Sequence, residues 1–287
     1  MSELQDVVSI SLDKIKPLSY TLTLDVSSMT IQDSNTTPVY GDEIYEFSVL
    51  KETNTLELNA DELRIQSLTL LNQDPVAYAP TWSEDTVNNV LTITFPNSLP
   101  LSDSLKLHII YEFNFSQSLS GLYTSKYRDS NKTPKRMVAT QFEACSARKA
   151  IPCVDQPNAK AKFQISLIHP KGETALSNMP VESISVVESS PSLIKTTFMV
   201  SPLMSSYLVA IVVGEFDVVS GSCYGGKLPV NVYTFPGQGP HSHFALQKCI
   251  DAIEYITKFT GIPIPVPKMD LCCVADFDPG ADRKSVV

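Results

Sequence analysis

Short runs in which apolar and polar residues alternate fill the first 235 residues, and this period of two constrains the fold more than any other feature. In residues 20–26 every second side chain is apolar, which predicts a strand with one buried face and one face in water. Similar runs predict further strands at Thr55–Asn59, Leu63–Leu71, Val90–Phe95, Leu105–Phe113, Met137–Phe142, Lys162–Ile168, Leu193–Val200, Ser206–Phe216 and Leu228–Phe235.

About ten such strands, with turn residues and little helical pattern between them, favour antiparallel sheets packed as a sandwich. A parallel α/β architecture needs crossover helices, and the pattern for such helices is missing from this part of the sequence. We therefore predict a mainly β chain, with an N-terminal antiparallel β-sandwich domain at residues 1–235.

The pattern changes after Phe235, where a Pro- and Gly-rich break precedes apolar residues at helical spacing. These residues, expected on the buried side of a helix at 242–260, are Leu246, Cys249, Ile250, Ile253 and Ile256. Ser242 is the predicted N-cap, and Gly261 is predicted to end the helix. With an extended segment after it, the stretch 236–280 is predicted to begin an α+β unit too small for its own core.

Charge and composition exclude several classes of function. Lys and Arg total 22 against 31 Asp and Glu, and the net charge of −9 argues against a nucleic-acid partner. Residues 1–13 lack a signal-peptide pattern, and the longest apolar stretch, residues 207–214, is far too short for a bilayer. Six cysteines without a C-x-x-C pair are expected to be reduced thiols. These features predict a cytoplasmic chain with no membrane partner.

The residues themselves offer no self-sufficient active site. The four histidines, His108, His169, His241 and His243, are scattered, and H-E-x-x-H occurs nowhere in the 287 residues. A G-x-S-x-G elbow is also absent, and the glycines between 221 and 226 are expected in a hairpin loop, not a phosphate site. We therefore predict no catalytic residue, no metal ligand and no cofactor in this chain.

The densest polar stretch is residues 140–157, at the end of a predicted strand. It brings Gln141, Glu143, Arg148 and Asp155 into one loop. Two interpretations stay open at this point. Glu143 could accept hydrogen bonds from a cationic ligand group, whereas Arg148 and Asp155 could pair and hold the shape of the loop.

The same stretch resembles the signature of the zinc aminopeptidases of the aminopeptidase N and puromycin-sensitive type, which reads approximately T-Q-F-E-x-x-x-A-R-x-x-F-P-C-x-D-E-P. The matching residues here are Thr140–Glu143, Ala147, Arg148, Pro152, Cys153, Asp155 and Pro157. Further family motifs are matched, in order, by Lys160–Phe163, Leu176–Met179, Met204–Ala210, Val213–Phe216, Val232–Tyr233 and Pro265–Asp270. The resemblance covers nearly the whole chain, from about Pro17 to Gly280.

The resemblance implies a fold and a function. In the family an N-terminal β-sandwich saddle docks against a thermolysin-like catalytic domain, of which residues 236–280 would be the truncated beginning. Full-length members use zinc to remove N-terminal amino acids from peptides. The family's loop reaches the active site, so Gln141 is expected to line the pocket for the first side chain and Glu143 to bind the free α-amine. Peptides with a free N-terminus are the implied partners.

The sequence also departs from the family pattern. The motif G-A-M-E-N is matched only by Gly280 and Ala281, and residues 281–287 are interpreted as a divergent tail. Gln156 replaces the usual Glu, which is expected to weaken a local ion pair.

We therefore hypothesise that the chain is the N-terminal portion of a zinc aminopeptidase, lacks the zinc site and is inactive alone. The alternative is a short regulatory isoform that binds peptides or the full-length aminopeptidase. In either case the apolar side of helix 242–260 is expected to be exposed. The isolated chain would then aggregate, or its segment after residue 236 would be mobile.

Overall fold

The computed structural model describes residues 9–30, 38–129 and 131–277, and the predicted tail at 281–287 lies outside them. The described residues form seventeen strands and one α-helix, joined by turns and short 3-10 segments. The strands are β1 (Ile15–Asp25), β2 (Val39–Val49), β3 (Thr53–Asn59), β4 (Arg64–Leu70), β5 (Thr81–Asp85), β6 (Val90–Leu99), β7 (Ser102–Phe113), β8 (Gly121–Arg128), β9 (Pro134–Gln141), β10 (Lys162–Pro170), β11 (Thr174–Ser177), β12 (Val181–Val186), β13 (Leu193–Phe198), β14 (Ile211–Gly214), β15 (Asp217–Cys223), β16 (Leu228–Thr234) and β17 (Met269–Cys272). The helix is α1 (His243–Thr260). The prediction of a mainly β chain is confirmed.

Seven strands in the order β12-β13-β10-β1-β2-β7-β4 form the largest sheet, and the other sheets are β11-β14-β9-β8, β3-β6-β5 and β15-β16-β17. Most neighbours are antiparallel, as predicted. Strands β1 and β10 are an exception, because they run parallel from Ser19 opposite Lys162 to Asp25 opposite Ile168. The chain between them builds β2 to β9 instead of a crossover helix, so the largest sheet is mixed.

Strand β2 lies near the middle of the largest sheet, yet the alternation pattern does not predict it. Its buried positions alternate at first and then become continuous, and they are Val39, Gly41, Glu43, Tyr45, Phe47, Ser48 and Val49. Gly41 and Glu43 therefore interrupt an otherwise apolar face. Gly41 leaves room for an aromatic ring, since a Cβ atom there would lie 2.2 Å from Cζ of Tyr111.

The predicted strand at Ser206–Phe216 is only partly correct. Residues Ser206–Leu208 form a 3-10 turn, and the strand that follows is limited to Ile211–Gly214. The side chain of Ser206 is turned into the protein, where its hydroxyl bonds Asp155. This long-range contact takes the segment out of the strand conformation that its apolar residues favour.

Stacked aromatic rings cross the largest sheet from β10 to β2. The Tyr20 ring lies 5.0 Å from that of Phe163 and 4.9 Å from that of Tyr45, and Tyr45 lies 5.1 Å from Phe47. Each such pair contributes about 0.5–1.5 kcal/mol beyond the area it buries. The rings belong to one hydrophobic cluster that also contains buried residues of β3 and β6, so these sheets share a core.

A separate hydrophobic cluster joins α1 to the sheet β15-β16-β17. The helix bounds agree with the predicted 242–260, and Gly261 ends it at φ 71°. Ser242 is not the predicted side-chain cap: its backbone is helical and its side chain makes no capping bond, because a 3-10 turn runs directly into the helix. The glycines after 221 lie in the β15–β16 hairpin, as expected.

The helix carries apolar residues on two sides. Leu246 and Ile253 are buried against the sheet, but Ile256, predicted to lie with them, is 56% exposed. Other exposed apolar residues on and just after the helix are Phe244, Tyr255, Phe259 and Ile262. The side expected to be exposed is thus covered by the sheet, and a second apolar stripe is exposed instead.

Helix α1 packs on a sheet whose strands lie on both sides of residue 236 in the sequence. Strands β15 and β16 precede that position and pair with β17, which follows it. The division of the chain at residue 235 and the thermolysin-like character of the second unit stay predictions. In the described residues no helix combines the length and apolar character needed to cross a membrane.

Substitution of Gly41 by Ala should destabilise the protein, because the new methyl group would overlap the Tyr111 ring. Overpacking of this kind costs about 1–3 kcal/mol, which urea unfolding can measure. Gly172 is the matched control, since a Cβ atom there meets no atom within 4 Å. Equal unfolding midpoints for Gly41→Ala and Gly172→Ala would contradict this account of β2.

Candidate functional site

Gln141 and Glu143 lie on either side of a sharp change in exposure. Gln141 is the last residue of β9, opposite Gly121 of β8, and only 7% of its surface is exposed. Phe142 is buried at 1% exposure, whereas Glu143 is exposed. The buried ring therefore anchors the start of the loop, and the next residue presents its carboxylate to solvent.

The loop after Glu143 is closed by local hydrogen bonds. Ser146 N donates to Phe142 O at 2.8 Å, and the hydroxyls of Ser146 and Ser120 lie 2.8 Å apart. A 3-10 turn, Ala147–Lys149, continues the loop toward the interior. These bonds tie the loop both to itself and to the segment that precedes β8.

Arg148 and Asp155 form a buried ion pair inside the loop, with 5% and 1% of their side chains exposed. Arg148 Nε donates to Asp155 Oδ2 at 3.1 Å, and Arg148 Nη2 donates to Asp155 O at 3.2 Å. Ser206 Oγ donates to Asp155 Oδ1 at 2.6 Å. The shape-holding interpretation is confirmed, and it leaves the exposed Glu143 available to a ligand.

Three residues of distant strands hold the backbone of the loop. Tyr111 Oη donates to Ala150 O at 2.8 Å, and Tyr20 Oη accepts from Val154 N at 3.1 Å. Asn59 and Cys153 exchange backbone hydrogen bonds of 2.7 and 3.1 Å. No motif in the sequence points to Tyr20, Asn59 or Tyr111. Tyrosines at inward positions of a strand could have indicated such a role, because a buried hydroxyl needs a hydrogen-bond partner.

Gln156 makes hydrogen bonds with the N-terminal segment of the described chain. Its Oε1 accepts from Ile10 N at 2.5 Å and from Ser9 Oγ at 2.8 Å, while its Nε2 donates to Ile10 O at 3.2 Å. An amide can donate and accept at once, which a carboxylate cannot do. Gln156 therefore pairs with the backbone of the N-terminal segment, and its expected effect on a local ion pair stays a prediction.

Glu43 is the most unusual group near the loop. It is fully buried on β2, and neither carboxylate oxygen has a hydrogen-bond partner among the described residues. Burial raises the pKa of Glu43 well above the ordinary value, and burial also raises the pKa of the neighbouring Tyr111. Burial likewise raises the pKa of the Cys153 thiol, which is therefore not an activated nucleophile.

The four histidines lie in separate places, and none joins the loop. His169 is buried, with Nε2 at 2.8 Å from Thr196 Oγ1, and His108 Nε2 lies 2.8 Å from Asp42 Oδ1. His241 and His243 are exposed at the start of α1. Across residues 9–30, 38–129 and 131–277, no three His, Cys, Asp or Glu side chains form a group that could hold a metal ion.

Replacement of Glu43 by Gln should stabilise the protein increasingly as the pH rises. Because the folded-state pKa of Glu43 is raised, this residue's contribution to the free energy of unfolding is fully present below about pH 4.5. That contribution is lost as the pH rises through the folded-state pKa. The loss approaches about 1.4 kcal/mol for each pH unit, and the amide abolishes it. Urea unfolding at several pH values measures the difference, with the exposed Glu57→Gln as the matched control.

A pH-independent difference between wild type and Glu43→Gln, or the same trend in the Glu57→Gln control, would show that Glu43 is not held neutral in the folded protein.

Known proteins resemble this chain over most of its length. Residues 16–208 match the family described as the Peptidase M1 N-terminal domain. Aminopeptidase M1-B of Oryza sativa subsp. japonica is 35% identical over 92% of this chain and 29% of its own length. Puromycin-sensitive aminopeptidase of Caenorhabditis elegans is 36% identical over 84% of this chain and 25% of its own length. Human endoplasmic reticulum aminopeptidase 1 is 31% identical over 92% of this chain and 28% of its own length.

The chain therefore spans between a quarter and a third of the length of these relatives, in their N-terminal portion. The family match covers more than half of the chain and includes the loop with Gln141 and Glu143. The chain belongs to the M1 aminopeptidase family, whose N-terminal domain it carries.

Proposed function

We propose that this chain recognises the free amino terminus of a peptide on behalf of an M1 aminopeptidase. Glu143 binds the α-ammonium group, and Gln141 lines the pocket for the first side chain. The observation that carries the proposal is the exposed carboxylate of Glu143 on a loop whose backbone is bonded to other elements on several sides. A carboxylate held in this way selects peptides with an unblocked N-terminus.

Glu143 is expected to act strongly only when water is excluded around it. An exposed pair between a carboxylate and an ammonium group contributes about 0–1 kcal/mol, because water screens both charges. The same pair is stronger in a site that is closed off from solvent. The chain alone should therefore bind amines weakly. In the longer relatives, the part of the protein that this chain does not cover would supply the closed site.

Full-length family members are inferred, from the resemblance, to hold zinc. The described residues do not fit that ion, since they bring together no ligand group for a metal. We assign no step to it, and this chain's own contribution is to bind and orient the amino terminus. The cytoplasmic location also stays a prediction. The described structure contains no feature that favours the alternative of a short regulatory isoform.

Leucinamide should perturb the NMR amide signals of residues 142–146, and N-acetyl-leucinamide should not, because only the former carries an ammonium group. The dissociation constant should be weaker than about 1 mM, because 1 mM requires about 4.1 kcal/mol and one exposed ion pair contributes only about 0–1 kcal/mol. Glu143→Gln should remove the difference between the two ligands. The exposed Glu188→Gln is the matched control and should leave it unchanged.

Equal perturbation by both ligands, or an unchanged preference in Glu143→Gln, would contradict the proposed role of Glu143.

The purified chain should not release aminocoumarin from leucine 7-amido-4-methylcoumarin, since its sequence contains no H-E-x-x-H. Fluorescence at high chain concentration, with and without a metal chelator, measures this. Chelator-sensitive turnover that follows the chain through purification would contradict the expectation and would require a hydrolytic site of another type.

A further inference from the structure

Strand β12 forms one edge of the largest sheet. It runs from Val181 to Val186 and pairs with β13 on one side, and among the described residues no strand pairs with it on the other side. All residues of the strand are exposed. The backbone N–H and C=O groups on the open side of an edge strand are available to another strand.

One hydrogen bond beside β12 determines which of its backbone groups point outward. Val187 N donates to Leu193 O at 3.1 Å, one position beyond the last pair of the β12–β13 register. Because hydrogen-bonded positions alternate along an antiparallel pair, Ser185 also bonds toward β13. Ile184 and Val186 then direct their N–H and C=O groups outward, so each offers a donor and an acceptor to a strand that arrives from outside.

The apolar side chains of β12 lie on the face of the sheet that is buried elsewhere. Val181 pairs with Phe198 and Ile184 pairs with Thr196, and both partners on β13 are buried. The core does not extend under β12, so Val181, Ile184 and Val186 are 46%, 61% and 53% exposed. A strand added beside β12 would cover part of these side chains and continue the same face.

The single charge of β12 is turned away from this apolar face. A register shift after Val181 leaves Glu182 in a bulge, where its Oε2 accepts from Gln164 Nε2 at 3.0 Å. On β10 the side chain of Gln164 alternates with those of Phe163 and Ile165, which are buried in the core. Glu182 therefore lies on the opposite face of the sheet from the exposed apolar side chains.

Other sheet edges of the described chain are protected in ways that β12 is not. On β4, the other edge of the largest sheet, the inward Leu68 is buried. The edge of β8 is covered by the segment after β17, where Asp276 Oδ2 accepts from Lys126 N at 3.3 Å. Strand β5 carries two acidic residues, Glu84 and Asp85, which discourage pairing with a further strand.

We propose that β12 pairs with β12 of a second copy of this chain, antiparallel and about a two-fold axis at Ser185. Residues 183–187 read Ser-Ile-Ser-Val-Val, so no charges meet in the centre of the pair. Ile184 of each copy lies opposite Val186 of the other, which matches outward donors with outward acceptors and apolar side chains with each other. An axis at Ile184 instead would place Val186 opposite the charged Glu182.

A two-fold axis satisfies both edges at once, because both copies use the same surface. The axis brings Glu182 opposite Glu188 of the second copy at each end of the pair, outside its uncharged centre. Salt screens such repulsion, so association should be tighter at about 0.5 M than at about 0.05 M NaCl. The surface is separate from the amine site, since Glu143 follows β9 of another sheet.

Sedimentation equilibrium of the full chain tests the proposal. We expect a reversible dimer with a dissociation constant between about 0.01 and about 1 mM, because a contact between two short strands is small for a protein interface. Ile184→Lys should weaken dimerisation by about tenfold or more, since an edge lysine blocks strand pairing. Phe259→Lys, the same kind of change at an exposed apolar residue of α1, is the matched control and should leave the dimer unchanged.

A second variant and a second measurement keep the test decisive if Ile184→Lys is poorly folded by thermal unfolding. Ile184→Pro removes an outward N–H but no bond to β13, so it should also weaken dimerisation. In the unsubstituted chain, dilution should shift the NMR amide signals of Ile184 and Val186, which donate across the pair, and leave that of Tyr255 on α1 in place.

A chain that stays monomeric at about 1 mM would overturn the proposal. So would a dimer in which the amide signals of Ile184 and Val186 do not move on dilution, or one that becomes weaker as salt is added. Loss of the dimer in Phe259→Lys, with the dimer kept in Ile184→Lys, would place the contact on α1 and overturn the pairing of β12.

Discussion

The buried ion pair between Arg148 and Asp155 is the interaction on which the candidate site depends. Moving two such ions out of water costs several kcal/mol each, and attraction offsets this only where the remaining polar atoms are bonded. Asp155 meets that condition: Oδ2 receives Arg148, Oδ1 receives Ser206 Oγ, and its backbone N–H donates to Asn59 Oδ1 at 3.0 Å. The pair therefore joins the loop to β3 and to a turn 51 residues further along the chain.

The interior beneath this loop is polar for a related reason. Tyr20 and Tyr111 hold loop backbone with their hydroxyls, so their rings occupy inward positions where a smaller apolar residue would otherwise suffice. The Tyr111 ring in turn requires a glycine at position 41 of the neighbouring strand. Glu43 lies on the same buried face of β2, and it is tolerated there as a neutral acid. Gly41 of β2 thus belongs to the support of the loop, because it makes room for the Tyr111 ring.

Local patterns predicted local structure well, and the failures have long-range causes. Helix α1 was correctly bounded, because apolar spacing and Gly261 act within a few residues of each other. Strand β2 was missed because Gly41 and Glu43 interrupt its apolar face, and the need for a glycine at position 41 comes from Tyr111 of another strand. Ile256 was placed on the wrong side of the helix, since spacing defines an apolar stripe but not which stripe the sheet covers. Parallel pairing of β1 with β10 has no local signal at all.

The candidate site shows the same division between local and distant information. Gln141 and Glu143 were identified by a motif, whereas Tyr20, Asn59 and Tyr111, which hold the loop, come from strands far away in sequence. The net charge of −9 gives no sign of a basic cluster in the fold. The strand register instead gathers cations at the start of β9, while its far end leads to the exposed carboxylate of Glu143. One hairpin therefore carries a cluster of basic residues beside its turn and leads to an exposed carboxylate at its other end.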